Sequence, residues 1–215
     1  MSKTLYSLLL DEEVVRAVDG LAHRSGLSRS ALVNRILAER LELTTPEKRI
    51  SDVFRAMEAL IRPDPELVPF FAPNTQSISM KSALDYKYRP TVKYEVQLYR
   101  SGEETIGELS VLFRTQSAEL LSAMGSFFRL WTQLEEVYLA PRLGFRLPCA
   151  LYDGKFVRGI AAPERDCSAE ELASAIAAYV RLFDRLMKGY VAGRLTAAEA
   201  ELEYAAFTAS ADLLI

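Results

Sequence analysis

The first forty residues most constrain what this chain can fold into. Thr4-Leu5-Tyr6-Ser7-Leu8-Leu9-Leu10 reads as a short strand, with Tyr6, Leu8 and Leu10 on one face and Leu5, Ser7 and Leu9 on the other. Asp11 is placed to cap a helix, and Glu12 and Glu13 complement the dipole of its first turn. Val14, Val15, Val18, Leu21 and Ala22 then recur at helical spacing. Gly26 sits where a left-handed residue ends a helix, and Ser28 caps a second one striped by Leu32, Val33, Ile36, Leu37 and Leu41. A segment this short cannot bury a core of its own. Below about 40 residues a fold needs a metal, a disulfide or a partner chain. The segment has no cysteine and one histidine, so the expectation is obligate pairing of two chains, their strands forming a ribbon.

This strand-helix-helix order, with Gly26-Leu27-Ser28-Arg29-Ser30 between the helices, resembles the ribbon-helix-helix (CopG-like, Arc-like) family of bacterial transcriptional regulators over residues 3–43. The resemblance implies a homodimer through strand pairing, open to tetramer formation, with the ribbon docked in the major groove of double-stranded DNA. The strand face that reads the bases would be Lys3, Leu5, Ser7 and Leu9. The phosphate clamp would be Ser28, Arg29 and Ser30, at a helix start whose backbone N–H groups are free.

Two features of the residues bear on that implication. Leucine at positions 5 and 9 can touch a thymine methyl group but cannot hydrogen-bond a base edge. Residues 1–49 carry eight Lys or Arg against seven Asp or Glu, a net of +1 that supplies little counterion release. Two readings therefore stand open. One is a DNA-docking repressor. The other is an interaction protein that uses the segment only for dimerisation, with Leu5 and Leu9 covered.

Beyond the module (residues 1–44), the pattern predicts an α+β fold. A connecting helix spans 45–62, opened by Thr45-Pro46-Glu47 and striped by Ile50, Val53, Phe54, Met57, Leu60 and Ile61. Residues 63–215 then form a domain with an antiparallel sheet covered by helices. Prolines from Pro63 to Pro73-Asn74 mark a loop. Three alternating strands follow, along Ile78–Tyr86, Val92–Leu98 and Leu109–Phe113, with Lys and Glu expected to pair across the wet face. A helix from Ser117 to Leu139 is expected to close at Pro141, with Glu135 and Glu136 on its surface. Asp153-Gly154 predicts a hairpin, and Ser168/Glu171 and Thr196/Glu199 predict capping boxes of two final helices.

Chemistry is sparse. His23 is the only histidine, which excludes a histidine-based triad or a His-rich metal site within one chain. Cys149 and Cys167 make no disulfide framework, and Cys149 lies in an apolar stretch suited to an inert thiol. No phosphate loop or nucleophile elbow is present. The expectation is no catalytic residue, metal or cofactor, and no enzyme. Tyr86, Lys87, Tyr88, Arg89, Tyr94 and Tyr99 suit a pleated, half-buried sheet better than a ligand surface. A net charge of −3 argues against nonspecific coating of nucleic acid or anionic membrane. No apolar run approaches the roughly 20 residues needed to span a bilayer and no secretory signal is seen, so a reduced cytoplasmic protein is expected. A small-molecule effector acting through the C-terminal domain would couple to DNA affinity by changing dimer geometry.

Overall fold

A computed structural model describes residues 5–41, 43, 45–70, 77–86 and 89–215. Lys3, Thr4, Pro73-Asn74, Lys87 and Tyr88 lie outside the described residues. The chain divides into two units, Met1–Thr45 and Pro46–Ile215.

The first unit is a pair of helices, α1 (Glu12–Ser25) and α2 (Arg29–Arg40). Gly26 separates them at φ +62°, a conformation costly for any residue with a Cβ. From there its own N–H and that of Leu27 reach back to the carbonyls of His23 and Ala22. Ser28 Oγ accepts from the Ala31 N–H at 3.2 Å and so caps α2. Asp11 holds the extended N-cap conformation of α1, but its side chain makes no capping bond.

The expected β-α-α unit is corrected here. Residues 5–10 form no strand, and helices α1, α2 and α3 (Pro46–Ile61) precede every strand among the described residues. A strand is defined by the hydrogen bonds of a neighbouring strand. Residues 5–10 pair with no strand among the described residues; the six strands of the sheet all belong to the second unit.

The second unit is α+β. Its strands are β1 (Val68–Phe70), β2 (Ser77–Ala83), β3 (Thr91–Leu98), β4 (Thr105–Phe113), β5 (Cys149–Tyr152) and β6 (Lys155–Ala161). They pair antiparallel in the order β1-β2-β3-β4-β6-β5. Alternation sorts the sheet into two faces. Met80, Tyr94, Val111 and Phe156 share the buried one, packed beneath α3, α4 (Ala118–Leu134) and α6 (Ala169–Val191). The other face carries Lys81, Lys93, Glu95 and Gln97. Its charges do not pair across strands as expected. Lys81 lies opposite Lys93, Glu95 lies opposite Ser79, and the Lys93–Glu95 ion pair runs along one strand at 3.0 Å. Lys81 instead sits over the Phe70 ring, 4.2 Å from its centre.

The helix begun at Ala118 does not close at Pro141. It passes through a π-helical turn, Glu135–Leu139, into the short α5 (Ala140–Leu143). Proline lacks the N–H that would bond the carbonyl four residues back, and its ring would strike that carbonyl, here Val137. Widening the turn, with the Ala140 N–H donating to the Glu135 carbonyl, lets the helix continue through the proline.

Asp153-Gly154 does turn the β5–β6 hairpin, with Gly154 at φ +69°. Both capping boxes form, opening α6 at Ser168 and α7 (Ala197–Ser210) at Thr196. Helix α3 lies along α6, burying Ile50, Val53, Phe54, Met57 and Ile61. The sheet meets the helices at Phe183 of α6, which is fully buried. Its ring is 4.7 Å from Trp131, 5.4 Å from Phe127 and 6.0 Å from Phe156, centre to centre. Truncation there leaves a cavity that rings on three sides cannot collapse into. Phe183→Ala is expected to cost about 3–5 kcal/mol, read as a lower urea midpoint with an unchanged slope.

Candidate functional site

The residues expected to read DNA do not share a surface built for it. Leu5, Ser7 and Leu9 are exposed on an extended segment, Leu5 at 96% and Leu9 fully. At the start of α2, the expected clamp is occupied from within the unit. Arg29 Nη2 donates to Asp19 Oδ2 at 2.5 Å, with Nε against the other carboxylate oxygen. Ser28 Oγ is engaged by the Ala31 N–H. Ser30 is exposed on the first turn of α2.

What the helix pair does present is apolar. Among its described residues only Ala22, Leu32 and Ala38 are buried. Val14, Leu21 and Ile36 are exposed, and Leu37 and Leu41 are 49% and 65% exposed. The stripes read from the sequence are in place on the helices, yet most of their members face water.

A second constellation lies inside the larger unit, where sequence reasoning missed it. Arg158 of β6 is fully buried, in a row of the sheet that is otherwise hydrophobic. Glu135, read from the sequence as a helix-surface residue, is 5% exposed and pairs with it. Arg158 Nε donates to Glu135 Oε1 at 2.9 Å and Oε2 at 3.2 Å. The Trp131 indole N–H reaches Oε1 at 3.2 Å, and the Tyr179 hydroxyl donates to the same oxygen. The guanidinium also lies over the Tyr179 ring, 4.2 Å away, and its Nη2 donates to the Ile215 main-chain oxygen. Its Nη1 is buried without a partner among the described residues. Glu135 continues the buried stripe of α4, four residues past Trp131 and with its N–H still on the Trp131 carbonyl, so ordinary helical spacing points it inward. That spacing was the signal in the sequence.

The electrostatics follow from the burial. Burial works most strongly against a charged guanidinium at Arg158, but the Glu135 carboxylate, together with Tyr179, Tyr204 and Cys149, raises its pKa above the ordinary arginine value. The Cys149 thiol is pushed up to about 12, first by burial and then by the Glu135 charge. Burial also raises Tyr179 and Tyr204.

A third cluster joins β3 to α6. Tyr94 OH donates to Asp184 Oδ1 at 2.8 Å, and Lys188 Nζ sits 2.7 Å from Asp184 Oδ2 and 2.6 Å from Glu66. Burial raises the Asp184 pKa against the opposing pull of Lys188. The Tyr94–Asp184 hydrogen bond ties α6 to the sheet, and Lys188, one turn along α6, balances the carboxylate. Among the described residues no three His, Cys, Asp or Glu side chains gather where one ion could hold them. No described helix is long and apolar enough to cross a membrane.

Compared with known protein families, curated proteins and solved structures, the chain matches none.

Removing one member of a buried pair strands the other. Arg158→Met is expected to cost about 3–5 kcal/mol, and adding Glu135→Leu to recover a large part of it; a denaturant double-mutant cycle measures both. With its thiol near 12, Cys149 is about one ten-thousandth thiolate at pH 8, against about one quarter for an ordinary cysteine. Higher basicity partly offsets this through greater nucleophilicity. Iodoacetamide should therefore alkylate Cys149 roughly fiftyfold more slowly in the native protein than in urea, followed by mass spectrometry of the peptide.

Proposed function

We propose that the chain is a self-associating interaction protein whose N-terminal helix pair joins two copies. The carrying observation is the inverted burial of that unit. Three small or medium residues are inside, while Ile36, Leu37 and Leu41 of α2 and Val14 and Leu21 of α1 remain exposed. Fully burying one such side chain contributes about 1.5–3 kcal/mol, so the unit gains most of its stabilisation only against a partner.

The partner that fits is a second copy. The charged side chains of the pair are largely matched within it: Arg16 with Glu12, Arg29 with Asp19, and Arg35 with Glu39. What stays unsatisfied is apolar. A second copy brings the same patch about a two-fold axis, the commonest arrangement of soluble assemblies. Eight basic against seven acidic residues in 1–49 leave little like-charge repulsion to oppose it. Duplex DNA would instead need free cations and free N-terminal donors, and Arg29 and Ser28 are already engaged. That favours assembly over docking on DNA. The same reading keeps the protein in a reducing cytoplasm, where both cysteines stay thiols.

Sedimentation of the full chain over a range of concentrations tests this. The expected result is a dimer that Ile36→Glu with Leu37→Glu weakens at least a hundredfold, with the urea transition of the larger unit unmoved. A wild type that sediments as a monomer at tens of micromolar overturns the proposal. So does binding to a duplex that falls steeply between 50 and 200 mM salt and is lost in Arg29→Ala, which transfers the role to DNA.

A further inference from the structure

There is space beside the π-helical turn that begins at Glu135. A cavity of about 130 Å³ lies between the turn, α5 and the residues leading into β5, wholly within the larger unit. For scale, an engineered apolar cavity of about 150 Å³ holds one benzene. Its lining is apolar at Leu139, Leu143 and Leu147 and polar at Glu135 and Cys149.

The two oxygens of Glu135 are unequally occupied. Oε1 accepts from Arg158, Trp131 and Tyr179. Oε2 has only the longer contact from Arg158 Nε at 3.2 Å and the Cys149 thiol at 3.7 Å. A thiol is a weak donor, so Oε2, the oxygen on the Cys149 side, retains the capacity for one strong donor. A buried acceptor with spare capacity in a cavity of molecular size favours an occupant that donates.

Charge narrows the class. Glu135 is balanced by Arg158 at 2.9 Å, and Glu136 by Arg146 at 3.1 Å on the exposed side of the space. No unmatched charge is left to hold an ionic ligand, and an ion would leave water without compensation. We propose that this cavity is a binding site for a small neutral molecule of phenol size, its apolar body against the leucines and its one hydroxyl donating to Glu135 Oε2. The site is independent of the proposed self-association, because its residues all belong to the larger unit.

Phenol, toluene and benzoate serve as probes on the full-length protein, with leucine methyl resonances read by NMR. Phenol is expected to shift the Leu139, Leu143 and Leu147 methyls saturably, toluene to bind at least tenfold more weakly, and benzoate not to bind. Toluene has nearly the same shape without the donor, so their ratio reads the hydrogen bond rather than the cavity. Leu143→Trp, which fills the space, should abolish the shifts. Should that variant fail to fold, as judged by circular dichroism, Ala140→Leu fills the same space from the other wall. Equal binding of toluene and phenol, or phenol shifts that do not saturate, overturns the proposal. Shifts that survive in a folded filled-cavity variant overturn it as well.

Discussion

The buried pair between Arg158 and Glu135 is the interaction on which the larger unit depends most. A guanidinium taken fully out of water costs several kcal/mol unless a counter-charge and hydrogen bonds compensate it. The solution is Glu135, four residues past Trp131 on the buried stripe of α4, which delivers a carboxylate to that depth. Trp131 and Tyr179 extend that solution, since each spends its polar atom on Glu135 and its ring on the core around Phe183. The aromatic layer and the ionic centre are built from the same side chains. A change in one is felt by the other.

The smaller unit obeys the opposite constraint. A pair of short helices has too little surface facing inward to offset the conformational entropy of ordering them. Alanines at 22 and 38 permit close approach of the chain but bury little area. Its ion pairs are exposed, and exposed pairs contribute at most about 1 kcal/mol each. Local structure there is specified by capping and turn chemistry at Gly26 and Ser28 rather than by a core. The helices are thus well defined in sequence while their stability is left to be completed from outside.

Those two situations explain what the sequence disclosed. Signals whose cause is local were readable. The Ser168/Glu171 and Thr196/Glu199 boxes, the Asp153-Gly154 hairpin and the strands through Met80, Tyr94 and Val111 each rest on residues within a few positions of one another. Signals whose cause is distant were not. Residues 5–10 have the alternation of a strand, but alternation specifies only faces, and a strand needs a neighbour that the described residues do not supply to it. Pro141 was read by its local rule as a stop, but the helix continues through it by widening one turn, with the Ala140 N–H on the Glu135 carbonyl. Arg158 carried no signal of its own, since its partner lies 23 positions away on a different element. The candidate sites lay in the same blind area: the apolar stripes were legible as helix faces, whereas their exposure, and the cavity beside Glu135, exist only once the chain is folded.

The two units also differ in what their polar groups are for. In α1 and α2 the ion pairs sit on the outside and leave an apolar remainder, the surface that the proposed second copy would cover. In the larger unit the order is reversed: the outside is mixed, and the unspent polar capacity, at the buried Glu135 Oε2, lies beside leucines that line the same space. The first is an extended helix face and the second a space of molecular size. One chain therefore presents two kinds of incompleteness, and the size of what completes each is set by whether its unsatisfied atoms face outward over a helix face or inward over a space the volume of one ring.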